Sequence, residues 1–282
     1  MKGTLYIVST PIGNLKDITL RALEVLKEVD VVVCEDTRVT LKLLNYYGIS
    51  KPLISFYKPR ESEKAKSILK LLMDGKNVAL TSDSGTPLIS DPGYLLVELA
   101  IREGIRIVPI PGPSSVVSAL VASGVVPVPF SFWGFLPRGN SLKEFLENLR
   151  EREETLVFFE SPNRVLNSLV VIKEVLGNRR VCVAREITKV NEEFIRGSLE
   201  DVIAILRERG EIKGEIVVVV EGKRDGRASE KAKEFVDWKR VAEFLVKKGL
   251  TYRDIEPLFR EQFGISRKEL YNYLLSLKGS DE

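Results

Sequence analysis

Through residue 221 the chain alternates short apolar runs with stretches in which apolar positions recur every three or four residues. The runs have strand length and the periodic stretches have helix length. Strands are predicted at 4–9, 30–35, 53–56, 77–82, 105–110, 128–133, 155–160, 180–185, 193–197 and 215–221. Helices are predicted at 18–28, 38–47, 61–74, 94–103, 114–123, 142–152, 163–176 and 199–209. This alternation predicts an α/β fold with a largely parallel sheet, at least in its first half.

The pattern changes character twice. After Ala119, Leu120 and Ala122 the helix closes at Ser123-Gly124, and the prolines at 127 and 129 lack the amide donor a helix needs. A linker near 110–127 therefore divides two α/β lobes, 1–112 and 113–222, and a cleft between lobes is a favoured place for a small ligand. Past Glu221 comes a polar hinge, Gly222-Lys223-Arg224-Asp225-Gly226-Arg227, after which strands cease and a three-helix tail fills 228–282. "VDWKRVAEFLVKKG" is its first helix; Thr251 and Ser266 open the other two, each with an acidic residue three positions on, and Gly264 stops the second. The break "FGIS" has the length of a helix-turn-helix corner. Phe244, Leu245, Leu258, Phe259, Leu270, Tyr273 and Leu274 are expected to serve the core of this tail.

Composition narrows the chemistry. At 282 residues, with 44% hydrophobic and 29% charged content, the chain has the make-up of a globular protein. No apolar run approaches the roughly 20 residues of a membrane helix, and the N-terminus reads directly into a strand, so a cytoplasmic protein is expected. Cys34 and Cys182 lie inside apolar runs and are expected to be buried thiols. There is no histidine, which removes Ser-His and Cys-His nucleophiles and His-based zinc sites. No metal is expected. Residues 1–222 carry 29 basic and 29 acidic side chains; residues 223–282 carry 14 and 11, so the formal charge of +3 lies wholly in the tail. That is a weak pointer to a polyanionic partner.

Three strand-to-helix loops are conspicuous. "STPIGNL" follows the first strand and supplies Thr10, Pro11 and Gly13. "LTSDSGTPLISDPG" is longer than a connector needs to be and supplies Asp83, Gly85, Thr86 and Pro87. "PIPGPSS" brings Gly112 with Ser114 and Ser115, which suit either helix capping or ligand binding. Loops at strand C-terminal ends converge on one crevice in open α/β sheets. Neither G-x-x-x-x-G-K-[ST] nor G-x-G-x-x-G is present, so a ligand held by its phosphates is disfavoured.

"LYIVSTPIGNLKDIT", "VVCEDTR", "LTSDSGTPLISDPG", "PIPGPSS", "FWGFLPR", "FFESPNR" and "AREITK" follow in that order over residues 1–222. Together they resemble the ribosomal RNA small subunit methyltransferase I family, of the tetrapyrrole methylase-like class of S-adenosylmethionine (SAM) methyltransferases. The tail resembles the helix-turn-helix region that many members carry. The resemblance implies a bilobed α/β protein, a homodimer, with SAM in the cleft between the lobes. It implies methyl transfer to the ribose 2′-oxygen of a cytidine in the decoding centre of 16S rRNA, with free RNA or the assembled 30S subunit as substrate. SAM carries no phosphate, which agrees with the missing phosphate loops. The three loops, with Gly13, Gly85 and Gly112 allowing close backbone approach, and Phe159 and Glu160 at the end of "TLVFFE", are then its expected binding residues.

A ribose hydroxyl is a weak nucleophile that benefits from a group accepting or orienting its proton. In "AREITK" the candidates are Glu186 as orienting acceptor, Lys189 as base or electrostatic aid and Arg185 toward RNA or SAM; Glu35, Asp36 and Arg38 form a second polar set. Arg38, Arg138, Arg267 and Lys268 are the expected RNA contacts. Two rival readings stay open: a methyltransferase acting on a tetrapyrrole carbon, and a non-enzymatic helix-turn-helix regulator whose α/β part senses a small molecule.

Overall fold

Five parallel strands build the first sheet: β1 (Thr4–Val8), β2 (Val31–Cys34), β3 (Leu53–Ser55), β4 (Val78–Thr81) and β5 (Arg106–Ile110). They lie in the order β3-β2-β4-β1-β5, so β1 is flanked by β4 and β5. Helices α1 (Leu20–Glu28), α2 (Thr37–Tyr46), α3 (Glu61–Met73) and α4 (Tyr94–Arg102) connect them. Every residue of β2 and β4 is buried, as expected of parallel strands covered on both faces. The computed structural model describes residues 1–57, 61–224, 238–262 and 265–278.

The second sheet has the order β6-β7-β10-β8-β9 and is mostly antiparallel. Its strands are β6 (Phe130–Phe135), β7 (Thr155–Glu160), β8 (Arg180–Arg185), β9 (Glu193–Ser198) and β10 (Ile216–Val220). Only β6 and β7 run parallel; β10 runs against both β7 and β8. Helices α6 (Ser141–Glu147), α7 (Val165–Leu176) and α8 (Leu199–Arg209) pack on this sheet around Phe158, Leu169 and Val218. Helix α5 (Ser115–Ala122), within the stretch expected to link two lobes, packs Val116, Ala119 and Leu120 against Val217 and Val219 of β10. Ile12, from the loop after β1, joins that cluster and is 6% exposed. Burying such a side chain is worth about 1.5–3 kcal/mol, which ties the first loop to the second sheet.

Most element ends fall within a residue of expectation; α7 opens at Val165 instead of 163, and the larger shifts at β6, α1 and α6 each have a local reason. Strand β6 starts at Phe130 instead of 128 because Pro127 and Pro129 have no amide for the ladder. It ends in a bulge at Gly134 (φ +69°). Helix α1 starts at Leu20, where the Thr19 side chain accepts from the Ala22 amide, and a 3₁₀ turn (Leu15–Asp17) precedes it. Helix α6 ends at Glu147 because the next turns tighten into i→i+3 bonds such as Leu149 N–H to Leu146 O. Both cysteines are buried free thiols.

Residues Met1–Lys223 form one compact unit and Arg224–Glu282 a second. The second unit contains α9 (Trp238–Lys247), α10 (Tyr252–Gln262) and α11 (Arg267–Lys278). The capping residues act as their spacing predicts: Asp254 accepts from the Thr251 amide and hydroxyl, and the Glu269 amide donates to Ser266 Oγ. Ala242, Ile255, Phe259 and Leu270 form its core, with Leu245, Tyr273 and Leu274 packed against them. Phe244 and Leu258 do not join it and are 59% and 46% exposed. Pro257 lies inside α10. The hinge residues from Asp225, the start of the tail at 228, Val236-Asp237 and Gly264 lie outside the described residues.

Candidate active site

Because β1, β4 and β5 are parallel neighbours, the loops that leave their C-terminal ends lie side by side. Hydrogen bonds then sew them together. Thr10 and Gly85 exchange both backbone bonds, at 2.8 and 3.0 Å, and Thr10 Oγ1 donates to Ser82 O at 3.0 Å. Thr86 Oγ1 donates to Pro113 O at 3.1 Å and accepts from Ser9 Oγ. Gly85 has φ +83°, a left-handed conformation that a side chain would strain.

The second sheet closes the other side. Since β10 is antiparallel to β7 and β8, its first residue, Ile216, pairs with Glu160 and Arg185 at their last residues. The segment Gly214–Val217 therefore reaches the same place as the loops after β7 and β8. Between the two sheets lies a cavity of about 420 Å³. Its first wall includes Gly85, Thr86, Ser90, Ser114 and Ser115; its second includes Phe135, Phe159, Ile187 and Gly214–Val217. Ser114 stands at the N-cap of α5 without making a side-chain capping bond.

Backbone strain is concentrated here. Among the described residues, the non-glycine positions with positive φ are Leu88 (+72°), Ser90 (+71°), Glu186 (+51°) and Thr188 (+68°). Ser90 lines the cavity, and Glu186 and Thr188 flank Ile187, which does too. Each such residue costs roughly 1–3 kcal/mol and persists only where its surroundings over-determine it, as active sites do. Thr188 Oγ1 is buried and, among the described residues, has no hydrogen-bond partner.

A charged cluster holds this turn. Lys189 Nζ sits 2.9 Å from Glu186 Oε1 and 3.2 Å from Glu215 Oε2, and Glu186 Oε1 also accepts from the Glu215 amide at 2.9 Å. Burial opposes the lysine's charge, but its bonds to Glu186 and Glu215 outweigh that and raise its pKa above the ordinary 10.5. The Lys189 hydrogen bond, then the Glu215 amide, lower the Glu186 pKa below 4.5. The stabilisation from the pair is therefore fully present between pH 4.5 and 10.5. It is lost as pH falls through the depressed glutamate value or rises through the elevated lysine value. The raised value favours a charged Lys189 near neutral pH, which fits the electrostatic form of its expected role.

The expected binding residues divide into two groups. Gly85, Thr86, Ser114, Ser115, Phe159 and Glu160 line the cavity; Thr10, Pro11, Gly13, Asp83 and Pro87 lie outside its lining. Thr10 is 2% exposed and ties loops together. Gly13 admits the neighbouring turn, because a Cβ there would come 2.5 Å from Lys189 Cγ and 2.8 Å from Thr188 Oγ1. Gly112 likewise admits Ser9, whose Cβ would be 2.8 Å away. These two glycines serve loop-on-loop packing. Asp83 Oδ1 accepts from the Asp36 amide at 3.0 Å; burial raises its pKa, the Asp36 amide opposes that, and the Asp36 charge adds to it.

The buried Glu160 carboxylate is engaged by Ser168 Oγ (2.5 Å), the Ser161 amide (2.7 Å) and Arg164 (3.2 Å). Arg185, paired with Glu193 and donating to Lys213 O, braces a neighbouring loop. Arg38 is exposed and bound to Asp36, whose pKa its side chain, then its amide, bring to about 2. Arg138 is exposed, as are Arg267 and Lys268 in the second unit, where Arg267 pairs with Glu256.

Phe135, Ile187, Gly214 and Glu215 line the cavity but were not among the expected binding residues. Gly214 and Glu215 precede a strand, and only the reversed direction of β10 brings that end to the site.

A family model described as Tetrapyrrole (Corrin/Porphyrin) Methylases matches residues 4–203. The ribosomal RNA small subunit methyltransferase I of Thermotoga maritima is 50% identical over 221 residues, which is 78% of this chain and 99% of that protein. Proteins of the same name from Halalkalibacterium halodurans and Bacillus subtilis are 42% and 41% identical, cover 96% of this chain, and are themselves covered over 94% and 93%. Among solved structures, a diphthine synthase aligns with a TM-score of 0.63 at 16% identity, over 78% of this chain and 90% of that one. The uroporphyrin III C-methyl transferase of Thermus thermophilus aligns at 0.56 and 18%, over 78% and 97%. These structural likenesses carry the fold alone. The sequence relationships carry more: the chain belongs to the tetrapyrrole (corrin/porphyrin) methylase family and, within it, to the ribosomal RNA small subunit methyltransferase I group.

Proposed function

We propose that this protein transfers the methyl group of SAM to the ribose 2′-oxygen of a cytidine in the decoding centre of 16S rRNA. The observation that carries this reading is 41–50% identity along 93–99% of relatives that bear the ribosomal RNA methyltransferase name. The cavity fits the donor. Its apolar wall of Ile187, Ile216 and Val217 suits an adenosine, while Thr86, Ser114, Ser115 and the amino end of α5 offer polar groups to an amino-acid moiety. Bound there, SAM supplies a methyl carbon activated by a positive sulfur. The chain's own part is to fix both partners in line and exclude water, and positioning of this kind lowers a barrier by several kcal/mol, up to about 7–11. Lys189, kept charged by two carboxylates, sets the local potential and holds the 186–188 turn.

Tritiated SAM incubated with purified protein and small ribosomal subunits, naked 16S rRNA or a tetrapyrrole precursor tests the reading. Label in the RNA at a ribose is expected; label only in the tetrapyrrole, or in nothing, refutes it. Lys189→Met should lower the single-turnover rate more than it weakens SAM binding, by roughly tenfold against twofold, because Glu186 and Glu215 then face each other without a cation. Equal losses would place Lys189 in SAM binding instead.

The second unit is proposed to strengthen RNA binding without taking part in the donor site, the Thermotoga relative being matched over almost its whole length by 221 residues. A chain ending at Lys223 should fold, bind SAM normally, and bind small subunits more weakly with a shallower salt dependence. Filter binding across a salt series checks this; identical slopes would give the tail another role. A homodimer is proposed as well, covering Val117 and Val121 of α5 with Val126, Val128 and Phe130, all more than 40% exposed. The expected place of action is the cytoplasm. No helix among the described residues is long and apolar enough to cross a membrane, and no group of three His, Cys, Asp or Glu side chains among them is arranged to hold a metal ion.

A further inference from the structure

Phe135 is a large aromatic that folding leaves 61% exposed, yet it lines the mouth of the cavity. Its ring meets Phe159 edge to face, with centroids 5.4 Å apart and planes at 62°. One edge is therefore anchored while much of the ring remains open to solvent.

Its backbone is held on a rigid stand. The bulge at Gly134 shifts the register of β6 just before Phe135. Arg164 Nη2 then donates to Leu136 O at 3.0 Å and Pro137 O at 2.7 Å, and the same guanidinium is paired with the buried Glu160. A side chain so supported is pre-organised for contact, and little ordering entropy remains to be lost. Three residues on, exposed Arg138 offers a cation beside the ring's segment.

We propose that Phe135 is the platform on which the base of the target nucleotide stacks while its ribose is presented to the cavity. This rests on the RNA-methylating reading. A ribose hydroxyl inside a cleft has to leave the helical stack with its base, and the unstacked base needs a new π-face. The donor's adenosine has the inner wall, where Ile216 and Val217 are 3% and 4% exposed, and does not need the open rim. The ring thus acts on the acceptor and not on the donor.

The test uses the full chain with Phe135→Ala, Phe135→Tyr and Phe135→Leu, tritiated SAM and small ribosomal subunits. Losing one base–aromatic stack is expected to raise the KM for subunits roughly 5- to 100-fold in the alanine variant. The SAM Kd by calorimetry should stay within about twofold, since on this proposal the donor occupies the inner wall and the ring serves the acceptor. Tyrosine should restore the KM; leucine, apolar but without a π-face, should not. Alanine without effect on KM, or leucine performing as well as tyrosine, overturns the proposal. So does a loss of SAM affinity at unchanged KM, or a shift from dimer to monomer in sedimentation that accounts for the defect. If the unaltered protein labels no RNA at all, the functional reading falls and takes this one with it, whereas an active parent with an equally active alanine variant sinks the stacking role alone.

Discussion

Replacing Glu160 by alanine is expected to cost about 3 kcal/mol of stability, which for a chain of this size lowers the melting temperature by roughly 6–12 °C. The carboxylate is fully buried and satisfies Ser168 Oγ, the Ser161 amide and the Arg164 guanidinium at once. Removing it strands all three. The figure sits at the low end for a broken buried pair because Arg164 remains 27% exposed and water partly screens it. Glu160→Gln keeps acceptor and shape but not charge and should lose about half as much. A functional defect should follow the structural one. Arg164 carries the carbonyls of Leu136 and Pro137, so at temperatures where the variant is folded its KM for RNA should rise while SAM binding holds. Calorimetric melting checks the first part; a melting temperature within 1 °C of the parent, well inside the roughly 2 °C that one kcal/mol shifts, would contradict the buried pairing.

The fold of the first unit was largely legible because its signal is periodic. All ten strands and all eight helices of residues 1–221 are where apolar runs and amphipathic stretches put them, most ends lying within a residue or two and the larger displacements falling at prolines, a cap and an unwinding turn. The site was legible in part. Loops after β1, β4 and β5 announce themselves by Gly, Pro and Ser at the ends of parallel strands, and Gly85, Thr86, Ser114 and Ser115 do line the cavity. Two kinds of information were hidden. The direction of β10 is not written in "IVVVV", so Gly214 and Glu215 had no reason to be sought. Nor does a sequence say what a glycine or a carboxylate faces: Gly13 and Gly112 read as room for a ligand, and the structure fills that room with Lys189 and Ser9. Glu160 reads as a cleft residue and does line the cavity, but its carboxylate is buried and paired with Arg164.

Gly214→Ala tests the packing of the strained turn most directly. Gly214 has φ +96°, and a Cβ on it would lie 2.4 Å from Glu186 Cγ, 2.5 Å from Cδ and 2.6 Å from Oε1. A flexible glutamate would swing aside at little cost, but this one is fixed by Lys189 and by the Glu215 amide, and its own backbone is left-handed. The substitution therefore carries about 1–2 kcal/mol of backbone strain and roughly a further 1.5–3 for disrupted charged hydrogen bonds. Because Ile187 and Gly214–Ile216 form one wall of the cavity, a displacement of about 1 Å there should reduce methyl transfer by about a hundredfold in a protein that still folds. The cause can be isolated with a second substitution. In a Glu186→Ala background the clashing side chain is gone, so Gly214→Ala should cost only its backbone strain, and the two changes should couple by about 1.5–3 kcal/mol in a double-mutant cycle on stability. Additive costs would mean that Gly214 is needed for its conformation alone and that the Glu186 side chain does not occupy the space beside it.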